Sequence, residues 1–249
     1  MAGVTPLSYS AAASSSNSKP SGPATSTLPK GEPQPHQTPS APSSTPTPPP
    51  PPQQPRKRSP SPRHQPKTVP SHEPVYILTL QTDKPHHDRM TAWRKQYFPA
   101  QLNKLEAHLT LFHALPASKF PSSILPALRA IAASTPPFPI CARKPFRLRR
   151  GIALSIPRNE GAAKIQGVHR ALLGQWRGEG WLSEQDSGGM RAHYTIMNKA
   201  DDEGQVLIAF EEVSRAFRPD EGRAEGLGLW RYERGFWRWE EGFAFTGTE

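Results

Sequence analysis

A duplicated α+β fold is what the sequence predicts. Two lobes with antiparallel sheets, related by a pseudo-twofold, would form a central cleft over residues 75–249, behind a tail of residues 1–74. Three observations carry this. Composition breaks sharply near Val75: the first 74 residues hold 20 of the 31 prolines and no Trp or Phe, whereas all six tryptophans and all ten phenylalanines follow. A segment so poor in large apolar residues cannot offset its chain entropy, so the tail is expected to be disordered. A short pattern, His-x-Thr-x with apolar x, then occurs twice, as His108-Leu109-Thr110-Leu111 and as His193-Tyr194-Thr195-Ile196. The order of elements around the two copies also nearly repeats.

The β-rich run Val75 to Leu80 reads as a first strand. A helix is expected from Asp88, on the spacing of Met90, Trp93 and Tyr97, interrupted at Pro99 and resumed to Leu105. The first motif strand, His108 to Leu115, comes next, and then an amphipathic helix over Ser122 to Ala133 that Pro136 and Pro137 end. Phe138 to Lys144 and Phe146 to Ile156 read as two strands in succession. A second long helix, Gly161 to Trp176, leads through the Gly-rich turn Ser187-Gly188-Gly189 to the second motif strand, His193 to Asn198. A third helix follows from about Asp202 to Phe217, and two aromatic strands, Gly226 to Tyr232 and Phe236 to Phe245, close the chain around Arg234-Gly235. The second half repeats the first except that its opening strand is missing.

In an extended strand, side chains alternate faces. His108 and Thr110 therefore share one face, and so do His193 and Thr195, while Leu109, Leu111, Tyr194 and Ile196 anchor the strands in a core. Two such strands side by side would place two imidazoles and two hydroxyls around one anion, a phosphate site with its own acid and base. The pattern alone is cheap: His36-Gln37-Thr38 also fits it, but lies among prolines with no apolar neighbours.

The net charge of +10 is shared evenly. The tail carries seven basic residues against Glu32 and Glu73, and the rest is modestly basic, which suits a polyanionic partner. Arg56-Lys57-Arg58, followed by two Ser-Pro steps, is a candidate nuclear address or RNA-backbone contact. One cysteine, Cys141, excludes an internal disulfide and a cysteine-based zinc site. With no apolar signal core and no stretch of about 18 apolar residues, a soluble intracellular protein is expected, cytoplasmic or nuclear, with no membrane partner. Arg147 and Arg149, read as sharing a face of one strand, suggest a phosphate track with neighbouring Arg143, Lys144 and Arg150. Lys199 is a further candidate substrate contact. Phe112, Trp181, Tyr194 and Trp230 are candidates to stack a base. His86, His87, His113 and His169 lack the pattern, and no metal site is expected.

The paired motif resembles the signature of the two-histidine (2H) phosphoesterases, which include 2′-5′ RNA ligase-like enzymes and cyclic nucleotide phosphodiesterases. The chain looks like a fungal-type member over about residues 75–245, and the tail has no counterpart. The resemblance implies a bilobed α+β fold and metal-independent, cofactor-free hydrolysis of phosphodiesters. Its substrate would be RNA or a nucleotide carrying a 2′,3′-cyclic phosphate, with 2′-5′ RNA ligation as an accompanying activity and a monomer as the acting form. Such hydrolysis needs a base for water, an acid for the leaving ribose oxygen, and donors to the phosphoryl oxygens. His108 and His193 fit the first two roles and Thr110 and Thr195 the third. Alternatives are an ADP-ribose 1″,2″-cyclic phosphate phosphodiesterase, a 3′-5′ RNA-trimming exonuclease, and a non-enzymatic RNA- or nucleotide-binding module.

Overall fold

The computed structural model describes residues 73–248; the expectations for the tail before Glu73 lie outside the described residues. The elements run β1 (Val75–Thr82), α1 (Lys84–Tyr97), β2 (Leu109–Pro116), α2 (Leu125–Ser134), β3 (Phe138–Ala142), β4 (Lys144–Leu148), β5 (Gly151–Ser155), α3 (Ala162–Arg177), β6 (His193–Met197), α4 (Glu203–Ala216), β7 (Asp220–Glu233) and β8 (Phe236–Ala244). All strand pairings are antiparallel. One sheet has the order β2-β1-β7-β3, with β8 beside the far half of β7, and the other is β4-β5-β6. Both motif strands are edge strands. Among the described residues no helix is long and apolar enough to cross a membrane.

Several expectations about elements change. The first helix ends at Tyr97 and does not resume to Leu105, since only a single short turn, Ala100–Leu102, follows Pro99. The first helix starts earlier than Asp88, because Asp83 caps it through its side chain, accepting from the His86 N–H, and Pro85 fits the first turn. The expected strand Phe146 to Ile156 is two strands, β4 and β5, folded back at Arg149-Arg150. Gly151 is needed at the start of β5, since a Cβ there would lie 1.9 Å from the Met197 carbonyl oxygen. The opening strand of the second half is therefore present. It is β5, and β5-α3-β6-α4-β7 repeats β1-α1-β2-α2-β3-β4, with β8 added.

The two halves interlock. β1 of the first half pairs with β7 of the second, and β5 of the second pairs with β4 of the first. Helices cross over too. His86 on α1 lies 5.5 Å from the ring of Tyr194 on β6, and His169 on α3 stacks 4.6 Å from Phe112 on β2. One continuous apolar core results, running from Leu78 and Leu109 through Phe112, Ile165 and Trp176 to Tyr194 and Leu229.

Candidate active site

Each motif is delivered by the alternation of its edge strand. Leu109 and Leu111 are buried while Thr110 is half-buried on the other face. Tyr194 and Ile196 are buried while His193 and Thr195 are half-buried. Neither threonine hydroxyl makes a hydrogen bond among the described residues, which leaves both as donors for an incoming oxygen.

The imidazoles are set by the same local contact in both copies. Nδ1 of His108 lies 2.8 Å from the carbonyl oxygen of Glu106, and Nδ1 of His193 lies 2.7 Å from that of Arg191. A carbonyl can only accept, so Nδ1 carries the proton in each ring and donates it two residues back. Nε2 is then the lone-pair nitrogen, the tautomer a base requires. Each ring also rests on an aromatic side chain: His108 lies 4.5 Å from Trp237, and His193 5.8 Å from Phe146.

Burial pushes both rings below the ordinary imidazole range. For His108 the crowding of neighbouring protein is joined by the Arg94 guanidinium, and together they lower it to about 3. His193 is lowered by burial and by Arg191, less strongly. Both are therefore neutral in the unliganded cleft at neutral pH, and His193 takes up a proton more readily than His108.

Sequence reasoning missed Arg94. This α1 residue is 5% exposed, and its guanidinium donates to Asn103 Oδ1 (3.0 Å), to the Leu105 carbonyl (2.9 Å) and to the Thr195 carbonyl (2.7 Å). It ties the loop that leads into His108 to the opposite motif strand. A long-range bond of this kind leaves no mark in local sequence.

The other candidates fare unevenly. Tyr194, 1% exposed, points from β6 into the core and cannot stack a base; Phe112 and Trp181 are buried as well. Arg147 and Arg149 do not share a strand face, because β4 ends at Leu148. Arg147 pairs in register with Ile152, a fully buried core residue on the face opposite Phe146, and its side chain bonds Glu203 at 3.1 Å. In the rest of that basic cluster, Arg143 pairs with Glu160 and Arg150 with Asp201. Lys199 stands just beyond β6 in the left-handed region, φ 61°, exposed at the end of the motif strand. Trp230 does reach the cleft side. Its Nε1–H donates to Thr79 Oγ1 (2.9 Å), and it packs edge-on to Trp239 (4.8 Å) and near Trp237 (6.4 Å). These rings fit because Gly228 and Gly242 leave bare backbone under Trp239, where an added Cβ would come within about 3 Å of the indole.

The sequence model of the 2′-5′ RNA ligase superfamily matches residues 82–236, more than half of the chain, and includes both motifs. No curated protein matches the sequence. Among solved structures, TT0787 of Thermus thermophilus is 16% identical, with a TM-score of 0.50 over 70% of this chain and 100% of that one. A phosphoesterase crystal structure gives 16% and 0.49 over 70% and 99% of the two chains, and E. coli LigT complexed with 3′-AMP gives 16% and 0.48 over 70% and 99%. At such identity the likeness to TT0787 is one of fold. The family match runs from α1 through β7 and contains both histidine motifs, and the chain belongs to the 2′-5′ RNA ligase superfamily of two-histidine phosphoesterases.

Proposed function

We propose that the chain is a phosphodiesterase that opens 2′,3′-cyclic phosphates on RNA ends or nucleotides, with His108 as general base and His193 as general acid. The observation that carries this is the matched setting of the two imidazoles. Each donates Nδ1–H to the carbonyl two residues back, and each leaves Nε2 for a substrate proton. Their roles divide by proton affinity. His108, beside Arg94, stays neutral and takes the proton of the attacking water. His193 acquires its proton as the phosphate anion enters, since a nearby negative charge raises an imidazole's proton affinity, and gives it to the leaving ribose oxygen. Thr110 and Thr195 donate to the non-bridging oxygens. Trp237 and Trp230, beside His108, offer a face for the base of the nucleotide.

Incubation of the purified protein with nucleoside 2′,3′-cyclic phosphates, followed by chromatography against 2′- and 3′-monophosphate standards, tests the proposal. The pseudo-twofold site holds the phosphate with the ribose to one side, so only one ring oxygen can sit opposite the water. Family resemblance makes that the 3′ oxygen, and the product a 2′-phosphate. Binding without turnover would favour the nucleotide-binding module, and a 3′-phosphate product would reverse the orientation of the ribose.

A further inference from the structure

The strand that carries the first motif breaks its alternation just after Thr110. Thr110 pairs with Thr79, but Phe112, not Leu111, pairs with the next residue, Leu78. Leu111 is thus an extra residue in the ladder, a β-bulge, and both Leu111 (2% exposed) and Phe112 (0%) turn into the core. The alternation slips by one, so that His113 falls on the face of Thr110 with its side chain 49% exposed, and a second irregularity follows at once, leaving His113 and Ala114 together opposite Ile77.

A buried carboxylate holds it there. Asp186, 2% exposed, lies in the loop between α3 and β6. Its Oδ1 accepts the His113 backbone N–H (2.8 Å) and its Oδ2 the Ala114 N–H (2.9 Å), two successive amides on the free edge of β2. Nδ1 of His113 lies 3.3 Å from Oδ1 and donates to it. Burial pushes the Asp186 carboxyl up, but the His113 ring and the two amides outweigh it and hold the group below the usual carboxylate range. The pair therefore combines an ionised carboxylate with an imidazole oriented by it, and Nε2 of that imidazole has no partner among the described residues. His113 is among the groups that lower both His108 and His193, so the ring belongs to the same cleft.

Acid, base and both hydroxyl donors of the proposed reaction are already assigned, and His113 has no part among them. Three residues beyond Thr110, it stands roughly 7–10 Å further along the strand, too far for the phosphorus that Thr110 contacts. The second motif strand makes the same slip, with Thr195 paired to Ala153 and Met197 to Ile152. The residue that emerges there is Asn198, uncharged, whose side chain accepts from the Lys199 N–H. The slip therefore presents an imidazole after the first motif and an uncharged amide after the second.

We propose that His113, oriented by Asp186, is a specificity-determining residue that binds a second phosphate of the substrate, one nucleotide linkage away from the phosphate undergoing attack. This rests on the phosphodiesterase reading and narrows it. The preferred substrate is a nucleotide or RNA end bearing a 5′-phosphoryl group in addition to its cyclic phosphate, lying with that group toward His113.

Calorimetric titration of a nucleoside 3′,5′-bisphosphate and of the matching 3′-monophosphate, into wild type, His113→Gln and His113→Arg, tests it. Wild type should bind the bisphosphate about fivefold more tightly, the scale of one half-exposed charge pair. His113→Gln should bring the two ligands within twofold of each other, and His113→Arg, which supplies a cation at the same place, should restore the preference. An equal preference in wild type and His113→Gln, or none in wild type, overturns the assignment. Turnover of a nucleoside 2′,3′-cyclic phosphate by wild type, measured alongside, separates the two claims. Hydrolysis without bisphosphate preference overturns the role of His113 alone. A His113-dependent preference without hydrolysis upholds it and overturns the phosphodiesterase reading. Wild type that binds neither nucleotide overturns both.

Discussion

Replacing Arg94 by methionine removes the brace between the two motifs while keeping most of the stem's volume. Two large effects oppose each other. The guanidinium is buried with only uncharged oxygens as its hydrogen-bond partners, and burial lowers its pKa from the ordinary guanidinium range to about 10, which corresponds to ~3 kcal/mol of unfavourable charge burial that the variant regains. Against this, Asn103 Oδ1 and the carbonyls of Leu105 and Thr195 lose their donor. At ~1–3 kcal/mol for each orphaned acceptor, the loss is roughly 5–6 kcal/mol near the middle of the range. The difference, about 2–3 kcal/mol of destabilisation, lowers the melting temperature by roughly 5–10 °C for a domain of this size. Circular-dichroism melts measure it. NMR titration of the histidine Cε1 protons in the same samples should show the His108 pKa rising once the neighbouring charge is gone. A variant that melts at or above wild type would refute the reasoning, because the buried charge would then cost more than its three bonds contribute.

His108→Ala and His193→Ala should each lower kcat by about 10²-fold or more, the scale of losing one acid or base; full activity in either variant would sink the two-histidine mechanism. Burial lowers His87, His108, His169 and His193 together, so the unfolded chain binds more protons than the folded one below the ordinary imidazole value of 6.5. Stability from these groups should be flat above about pH 6.5 and decline as pH falls, for His108 down to about 3. Urea titrations at about pH 7.5 and about pH 5, either side of the ordinary imidazole value, check this, and equal midpoints would contradict it. With acid, base and donors all assigned to side chains, a saturating chelator should leave hydrolysis unchanged; activity lost to the chelator and restored by zinc or manganese would mean that the site has been misassigned. Trp237→Ala should raise KM for a cyclic nucleotide by roughly 5-fold to 100-fold through lost stacking, and an unchanged KM would place the base elsewhere.

The candidate site was legible in the sequence where four consecutive residues decide the matter. His-x-Thr-x with apolar x fixes which side chains face a cleft as soon as the segment is a strand, and the structure makes both copies strands. The slip just after each motif left a fainter sign. Leu111-Phe112 and Ile196-Met197 are both doubled apolar pairs, and two consecutive core residues in an edge strand imply that alternation breaks there. With that break, His113 belongs with Thr110 and not with Leu111. The turn at Arg149-Arg150 was hidden because apolar residues continue through it, from Phe146 and Leu148 to Ile152 and Leu154, with Gly151 as the only punctuation. Arg94 and Asp186 could not be read at all. Each acts through backbone groups that are distant in sequence, so only the assembled fold shows what they touch.

The interlocked strand order has a kinetic consequence. β1 is finished early in the chain, yet its partner on one side is β7, where Tyr76 pairs with Arg231 about 150 residues later. A pairing of such separation must close a very long loop before it contributes, which slows folding. During synthesis the first motif strand emerges and pairs with β1, but the other edge of β1 stays open until nearly the whole chain has left the ribosome. Over that interval the apolar residues Ile77 and Leu78 lie on a strand whose backbone groups are half unpaired, the condition under which chains associate wrongly. A truncation before β7 would leave that edge permanently open. Such fragments should aggregate even though they retain the first His-x-Thr motif intact.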